Sequence, residues 1–560
     1  MFYGASQRQQ RRGTLTGMPE QAKSTRTGRR SAALTFAALF AASLALYVLT
    51  MAPGITARNE GGDAGDFLVA AFKWGVPHPT GYPTYILGLR LFGWAVPIGD
   101  EAYRGNLFSA VAAALAVPFV FLAVRSAIEH LPEKAGDHRA AYLLALVSAT
   151  AFSVSSVFWS QATITEVYAL NALFVSVLLW LAIEIRVRLE RAESVAAWMT
   201  VAALLLGLGL GNHVTIALAA FPVIVWVYWP ALRARDWRVA PVFRPAAAMV
   251  AGLCVYAYPP IASAREPVLE WGQPHTWEGF KWMITGAIYQ NYAFGVEGGR
   301  VLQRIVKVFD FLTGQYGYAG LVLGTAGLSV MWSRARGLAI ATAASALGVT
   351  VYAVGYSPGD SYVYLIPAFM MFAVWMGVGA ASLAASLAQI ARGTRRRWFH
   401  ARERLILPAV ALAAFAAGPA WILPAHFHSQ DLSRDREAAD YAANALETAG
   451  QGGVIFADGT QLFSLWYQTY IAAPELDVLI VSTSLLRFDW YWEDIRRQAP
   501  DRVPETPPVS YLDRLIAIAS FNEGGAAVFL THDDKFYSPR FKLEEDGGLF
   551  RATGLVAVGG

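Results

Sequence analysis

Two carboxylates and a histidine occur close together after the first apolar run of the chain. Asp63 and Asp66 lie among glycines, and His78 lies among prolines. Glycine lets the backbone approach another group closely, and proline fixes an extended turn. Such a loop can hold a carboxylate at the membrane surface. The alternative is structural, with a glycine-rich entry to an amphipathic helix over about 66–74 that Asp66 caps.

Other polar residues interrupt the apolar runs further along the chain. Glu166 and Tyr168 stand at the boundary of one run and have the residue types that bind a sugar hydroxyl or a metal ion. A cap on the helix that follows explains Glu166 equally well. Asn212 and His213 separate two short runs, where a polar pair must face water or protein. Simple turn formation is the alternative for this pair.

Two later segments add further candidates. Arg265 and Trp271 begin a long polar segment whose later portion, about 280–311, has aromatic and charged residues at helical spacing, which predicts an interfacial amphipathic helix. Asp360 and Tyr362 form a short polar stretch. The sequence has no phosphate-binding glycine loop followed by Lys and Ser or Thr, and no zinc-type pair of closely spaced histidines. These patterns disfavour ATP hydrolysis and structural zinc.

The composition determines which elements must position these residues. The chain has 560 residues, of which 55% are hydrophobic and only 15% are charged, with a mean hydropathy of +0.38. This is far more apolar surface than one soluble core can bury, so a membrane must solvate most of the chain. The formal charge of +4 does not suggest a nucleic-acid partner, and Cys254 as the only cysteine excludes an intramolecular disulfide.

Apolar runs recur along residues 31–424, each roughly long enough to cross a hydrocarbon core of ~30 Å, and they predict an all-α polytopic membrane domain with about 11 transmembrane helices. The runs cover 31–52, 106–125, 140–158, 169–186, 196–211, 214–229, 244–262, 317–332, 337–355, 363–390 and 404–424. Residues 1–30 are polar and basic without apolar periodicity, which predicts a disordered tail.

Lysine and arginine collect in alternate loops between the runs, and this asymmetry predicts the orientation of the chain. The N-terminal tail lies in the cytoplasm, and the loops 53–105 and 264–316 lie on the extracytoplasmic side. Residues 425–560 also lie outside. Strand-like runs near 453–457, 478–481 and 526–530 alternate there with helical stretches, which predicts a small soluble α/β domain.

Aromatic residues of this C-terminal domain permit two interpretations. They either form its core or stack on a glycan, and the core is favoured because aromatic side chains more often pack than bind. The residues concerned are Trp466, Tyr467, Trp490, Tyr491 and Trp492.

The motifs, taken in order, resemble the GT-C class of polytopic membrane glycosyltransferases, specifically the bacterial branch related to protein O-mannosyltransferases. The resemblance is clearest over about 31–310 and rests on Asp63-Ala-Gly-Asp66, His78-Pro-Thr-Gly-Tyr-Pro83, Arg104 with Asn106 and Ser109, Phe158-Trp-Ser-Gln161 with Glu166-Val-Tyr168, Gly211-Asn-His213, Trp271-Gly-Gln-Pro274 and Asp360-Ser-Tyr362. Two positions depart from the family pattern, which commonly has Glu at Asp66 and a second Pro at Thr80.

The resemblance implies an inverting glycosyltransferase of the bacterial inner membrane. It would move a mannose-like sugar from a polyprenyl-monophosphate donor to a hydroxyl of a protein, lipid or glycan acceptor at the extracytoplasmic face. This chemistry requires no cofactor, and the resemblance leaves open whether a divalent cation takes part. The alternative function is a transporter or flippase of a lipid-linked saccharide, which would place charged residues along a central path. A scaffold anchored by its helices is a further alternative.

The resemblance also implies roles for individual residues. Asp63 is the expected general base, and Asp66 would orient the acceptor or help to bind a divalent ion. His78 would donate to the phosphate or brace the loop. Candidates for the phosphate are Arg104, Arg265 and Lys281, with Arg104 preferred. The remaining expected substrate-binding residues are Tyr82, Glu166, Tyr168, His213, Trp271, Asp360 and Tyr362.

Overall fold

The computed structural model describes residues 18–131, 138–234, 242–393, 403–533 and 540–555. The described residues up to Gln430 form a helix bundle. Its helices are α1 (Met18–Thr50), α2 (Ala64–Phe72), α3 (Pro83–Ala95), α4 (Glu101–Glu129), α5 (His138–Ser153), α6 (Ser156–Ala162), α7 (Val167–Glu190), α8 (Ala196–Leu210), α9 (Ile216–Ala234), α10 (Phe243–Leu253), α11 (Tyr258–Ser263), α12 (Trp277–Ile284), α13 (Gly298–Arg334), α14 (Arg336–Gly355), α15 (Ile366–Gly393) and α16 (Glu403–Gln430).

Eight helices among the described residues are long and apolar enough to cross a membrane, or nine if α5 and α6, bent by 65° at their junction, form one span. The predicted number of about 11 also includes two runs that fold differently. One is α8, a shorter apolar helix of 15 residues. The other, 317–332, is the second half of α13, which Gly317 kinks by adopting a left-handed backbone conformation. The polytopic all-α class is confirmed, and the chain is an integral membrane protein.

Small residues let the buried helices pack closely. At Gly327 of α13, a Cβ atom would lie 1.8 Å from the carbonyl oxygen of Trp375 in α15. At Gly379 of α15, it would lie 2.0 Å from the carbonyl oxygen of Leu323. Close approach of two backbones through glycine is a common way for helices to associate in a membrane. These contacts fix α13 and α15, whose ends carry part of the site described below.

Three local predictions were wrong in detail. The amphipathic helix predicted over about 280–311 is divided, because α12 ends at Ile284 and α13 begins at Gly298. The helix predicted over 66–74 is α2, and Asp66 lies buried in its first turn instead of capping it. The disorder predicted for 1–30 is contradicted from Met18 onward, where α1 begins. Residues 1–17 lie outside the described residues.

The C-terminal domain is the predicted small α/β unit. It contains helices α17 (Glu437–Ala449), α18 (Gly459–Tyr467), α19 (Asp489–Gln498) and α20 (Tyr511–Phe521), and strands β1 (Val454–Ala457), β2 (Leu479–Ser482), β3 (Val528–Leu530), β4 (Phe541–Asp546) and β5 (Leu549–Leu555). The strand order is β2-β1-β3-β5-β4. The three predicted strands are β1, β2 and β3, and they pair in parallel, while β4 and β5 add an antiparallel hairpin that was not predicted.

The core interpretation holds for most aromatic residues of this domain. Trp466, Tyr467, Tyr491 and Trp492 are buried. Trp490 is half-buried, and its ring centroid lies 6.0 Å from that of Trp282 in the membrane domain.

Helix α18 joins the two domains, because it packs directly on α2. A Cβ at Gly65 would lie 1.8 Å from the carbonyl oxygen of Phe463, and one at Gly62 would lie 2.9 Å from Oγ1 of Thr460. Only glycine permits such an approach. The C-terminal domain therefore covers the loop that carries the two predicted carboxylates.

Candidate active site

Asp66 and His78 form a buried, hydrogen-bonded pair. Oδ2 of Asp66 accepts from the backbone N–H of His78 at 2.9 Å and lies 2.7 Å from Nδ1 of the same residue. Oδ1 accepts from Nε1 of Trp271 at 3.1 Å. Both carboxylate oxygens of Asp66 are thus occupied, and its side chain is fully buried. Asp66 thus orients the imidazole ring of His78 through Nδ1.

Asp63 lies on the other side of the imidazole and reaches the opening of the site. Its Oδ2 lies 3.5 Å from Nε2 of His78, and its side chain is 44% exposed, against 0% for Asp66. Desolvation in the cleft raises the pKa of Asp63, and the nearby His78 lowers it in part. Burial lowers the pKa of His78, but Asp63 and Asp66 together raise it above its ordinary value. The two carboxylates therefore favour the cationic form of His78.

The loop before Asp63 is held in an uncommon conformation. Asn59 and Glu60 have φ values of 58° and 64°, in the left-handed region. Residues other than glycine enter this region at a cost of about 1–3 kcal/mol each, and such strain is frequent at functional sites. Gln161 fixes the turn by donating from Nε2 to the carbonyl oxygen of Asn59 at 2.9 Å. The turn directs Glu60 and Asp63 toward the same cleft.

A second wall of the cleft is formed where α7 begins. Glu166 is 3% exposed, and its side chain accepts from the backbone N–H of Val167 at 3.2 Å, so it caps α7. Burial raises the pKa of Glu166 well above its usual range, and the charges of Asp63, Asp360 and Glu60 raise it further. Glu166 is therefore both the helix cap and a buried carboxyl group whose raised pKa favours the protonated form.

Aromatic rings line the cleft between these walls. The ring centroids of Tyr168 and His213 lie 5.5 Å apart, and those of Tyr82 and His213 lie 5.9 Å apart. Burial, with a smaller contribution from His78, lowers the pKa of His213 to about 4. Its imidazole is neutral at physiological pH, and Nδ1 lies 2.7 Å from Oγ1 of Thr215. The pKa of His213 is thus shifted in the opposite direction from that of His78.

The segment before α15 brings cations close to the acidic cleft. Oδ1 of Asp360 is buried without a hydrogen-bond partner in the structure. The neighbouring Ser361 accepts from Nη1 of Arg304 at 3.2 Å. Tyr362 stacks on Phe311 with ring centroids 5.1 Å apart. Arg304, Lys307 and Tyr362 line a cleft of about 140 Å³, in which Lys307 is exposed.

The three cations proposed for the phosphate lie in other surroundings. Arg104 donates to Glu101 at 3.0 Å and to the carbonyl oxygen of Gly93 at 3.1 Å, which ties it to the start of α4. Arg265 is exposed and lies over the ring of Trp74 at 5.7 Å. Lys281 is exposed on α12. The structure therefore brings together the predicted acidic and aromatic residues more closely than the predicted basic ones.

The sequence analysis missed Arg304, Lys307, Tyr289 and Phe463. The ring of Phe463 stacks on His78 at 6.2 Å, and Tyr289 lies 6.1 Å from it. Their positions depend on contacts between segments far apart in the chain. Arg304 and Lys307, spaced three residues apart in the predicted amphipathic helix, were the one available signal.

Further buried polar atoms in the described residues around the cleft have no hydrogen-bond partner, namely Nδ2 of Asn59 and Oε1 of Gln161. Buried polar atoms are normally paired, so unpaired ones at a cleft indicate a polar ligand. No group of three or more His, Cys, Asp or Glu that could hold a metal ion occurs in the described part of the chain. Asp66, with both oxygens already accepting, does not fit the role of metal ligand considered above.

Solved structures resemble this chain over nearly its whole length. ArnT from Cupriavidus metallidurans in the apo state aligns with a TM-score of 0.59 and 14% identity, covering 94% of this chain and 98% of that chain. ArnT bound to undecaprenyl phosphate aligns with a TM-score of 0.58 and 13% identity, covering 93% and 97%. At this identity the likeness concerns the fold alone. The chain has an ArnT-like GT-C fold.

Sequence comparisons give a more particular relationship. The family model "Protein O-mannosyl-transferase TMEM260 N-terminal domain" matches residues 63–237, and "TMEM260-associated domain 2" matches 438–511. The mouse Protein O-mannosyl-transferase TMEM260 is 32% identical over 247 residues, 43% of this chain and 32% of the relative. The Dictyostelium discoideum protein of that name is 26% identical over 308 residues, 52% of this chain and 35% of the relative.

The chain spans about a third of the length of the curated relatives that it matches. The matched residues 63–237 include Asp63, Asp66, His78, Glu166 and His213. This protein is therefore a GT-C type polytopic membrane protein related to protein O-mannosyltransferases, which confirms the resemblance seen in the motifs.

Proposed function

We propose that this protein is a glycosyltransferase that moves a mannose-like sugar from a polyprenyl monophosphate to an acceptor hydroxyl. The observation that carries the proposal is the buried Asp66–His78 pair beneath a partly exposed Asp63. The relationship to protein O-mannosyltransferases supports the sugar and favours a protein acceptor. We further propose that the reaction occurs at the extracytoplasmic face of a bacterial inner membrane, opposite the basic loops, which are predicted to lie in the cytoplasm.

Asp63 is the general base in this proposal. The acceptor oxygen attacks the anomeric carbon while the bond from that carbon to the phosphate oxygen breaks, and Asp63 takes the hydroxyl proton. The lipid phosphate leaves with the bonding electron pair. A single displacement inverts the anomeric carbon. A carboxylate whose pKa is raised by desolvation is a stronger base than an exposed aspartate, and it must still be ionised to act.

Asp66 positions His78 instead of contacting the acceptor. Its two oxygens are already engaged by His78 and Trp271. The imidazole of His78 then keeps Asp63 oriented at 3.5 Å, and its raised pKa favours the cationic form that balances the charge of Asp63. This role corresponds to the bracing alternative for His78. The unpaired atoms of Asn59, Gln161 and Asp360 are available to hydroxyl groups of the sugar.

The leaving phosphate requires a cationic or hydrogen-bonding site. We place it at the cleft of Arg304 and Lys307, beside Asp360 and Tyr362. Arg304 already donates hydrogen bonds to backbone carbonyl oxygens of the loop before α15, including that of Ser357 at 2.6 Å. Lys307 is therefore the cation that we expect to contact the phosphate. The raised pKa of Glu166 favours its protonated form, which can donate a hydrogen bond in the cleft.

Transport of a lipid-linked saccharide is the alternative function. A transporter needs a polar path through the bundle. The acidic residues of the cleft instead gather at one end of the bundle, near the starts of α2 and α7. A cavity within the other half of the bundle is lined by apolar side chains and Tyr228. These features favour chemistry at one surface.

The test is transfer of radiolabelled mannose from polyprenyl-phosphate-mannose to cell-envelope acceptors by the reconstituted protein. We expect Asp63→Asn to lower kcat by ~10²- to 10⁴-fold, the usual contribution of a positioned general base. Asp440→Asn, at an exposed carboxylate of the C-terminal domain, is the matched control. Transfer by wild type with an unaffected Asp63→Asn variant would contradict the base assignment. No transfer from any lipid-phosphate sugar would contradict the enzymatic proposal itself.

A further inference from the structure

A large apolar cavity lies inside the helix bundle, away from the acidic cleft. Its volume is about 290 Å³. Side chains of four helices, α7, α8, α9 and α10, line it, and the side chain of Met371 in α15 completes the lining. Apart from the hydroxyl of Tyr228, the lining side chains are aliphatic, proline or methionine. Apolar cavities of this kind stay dry and accept apolar ligands.

The cavity exists because α8 and α10 pack more tightly on each other than on the rest of the bundle. A Cβ at Gly207 of α8 would lie 2.4 Å from the carbonyl oxygen of Met249, and one at Gly252 of α10 would lie 2.5 Å from that of Leu204. The pair is fastened to the bundle at the cleft end, where Oγ1 of Thr84 donates to the carbonyl oxygen of Leu208 at 2.7 Å. The space between the pair and α7 and α9 lies toward the other end.

The shape of the cavity corresponds to one leaflet of a bilayer. Along α7 its lining runs from Val175 to Ile185, a distance of roughly 15 Å at 1.5 Å per residue. This is about half of a hydrocarbon core of ~30 Å. Helix α7 begins beside Glu166, whereas the lining on α10 starts at Val242, at the opposite end of the bundle, so the cavity extends from the interior of the bundle toward the leaflet away from the acidic cleft. The acyl chain of a lipid in that leaflet runs roughly parallel to α7 and can therefore enter the cavity lengthwise.

The far end of the cavity is bordered by positive charge. Val242 and Pro245 line it where α10 begins, and Arg244, which lies between them in sequence, is exposed. Tyr228 lines it near the end of α9, and Arg233 follows as an exposed residue. Basic residues at the end of an apolar site favour an anionic head group.

We propose that this cavity binds one acyl chain of an anionic glycerophospholipid from the leaflet away from Asp63, with the head group at Arg233 and Arg244. Such a lipid fills the space between the α8–α10 pair and the bundle. The proposal concerns a site separate from the acidic cleft and does not depend on the reaction proposed there.

The test is native mass spectrometry of the full chain after reconstitution with phosphatidylglycerol or phosphatidylcholine. We expect wild type to retain phosphatidylglycerol preferentially. Ala220 lines the cavity and is 7% exposed, so Ala220→Phe places a ring in it. Retention should fall by about tenfold, which corresponds to ~1.4 kcal/mol of binding free energy. Ala217→Phe, on the exposed side of the same helix, is the control and should retain the lipid.

A second variant tests the head group without altering the packed helices. Arg233→Gln combined with Arg244→Gln should remove the preference for phosphatidylglycerol and leave the chain site intact. Absence of retained lipid in wild type, equal retention of both lipids, or unchanged retention in Ala220→Phe would each overturn the proposal. Selective retention of a polyprenyl phosphate instead would also overturn it and would identify the cavity as a donor-tail site.

Discussion

Glu166 provides a sharp test of the electrostatics of the cleft, because its predicted state is opposite to that of Asp63. Burial raises the pKa of Glu166 well above its usual range, and Asp63 is the largest charged contributor in the same direction. The raised pKa favours the protonated form of Glu166, and we predict that this is the form present during transfer, whereas Asp63 must be ionised to act as a base. Replacing each by its amide mimics the protonated form, so the two substitutions should have unequal effects.

The expected magnitudes follow from the contacts of Glu166. In Glu166→Gln the amide oxygen can still accept from Val167 and cap α7, and the amide nitrogen can still donate. Transfer activity should remain within about threefold of wild type. Glu166→Leu removes both groups, and the loss of the cap should lower the free energy of unfolding by about 1 kcal/mol. The lost neutral hydrogen bond, worth up to ~1.5 kcal/mol, should lower activity by about tenfold.

The pH dependence of stability gives an independent measurement. An acid whose pKa is raised on folding binds more protons in the folded state, so stability falls as pH rises from the ordinary glutamate range to the raised value. Within that window the cost is about 1.4 kcal/mol for each pH unit. The Gln variant should lack this component in thermal unfolding. If Glu166→Gln loses as much activity as Asp63→Asn, Glu166 acts as an ionised group and the reasoning fails.

Two further substitutions test how the cleft is assembled. Gly65→Ala places a Cβ 1.8 Å from the carbonyl oxygen of Phe463, and such overpacking typically costs about 1–3 kcal/mol of folding free energy. This variant should separate α18 from α2, increase proteolysis between the domains and lower transfer activity. Gly299→Ala, with open space around it, is the control and should do none of these. Lys307→Gln should raise KM for the lipid-phosphate donor by about 10- to 100-fold, the value of a hydrogen bond to a charged group. Lys281→Gln is its control. A larger increase in KM for Lys281→Gln would contradict the role of Lys307 and would favour Lys281, one of the three phosphate candidates named from the sequence.

Much of the fold was predictable because it depends on local properties of the chain. The length and apolarity of a run decide whether it can cross a membrane, and both can be read from consecutive residues. The predictions that were wrong concern breaks within helices, such as Gly317 and the interval between Ile284 and Gly298. A break is determined by what a segment packs against, and that information is absent from the segment itself.

The sequence by itself determined that the chain is a polytopic membrane protein with a C-terminal α/β domain, and that Asp63, Asp66 and His78 are close, because they lie within one short segment. Only the tertiary structure decided what each of them does. Trp271, far along the chain, occupies the second oxygen of Asp66, and Phe463 covers His78 from the other domain. Burial and neighbouring charges raise the pKa of Glu166 and lower that of His213, since both pKa values depend on side chains brought together by folding.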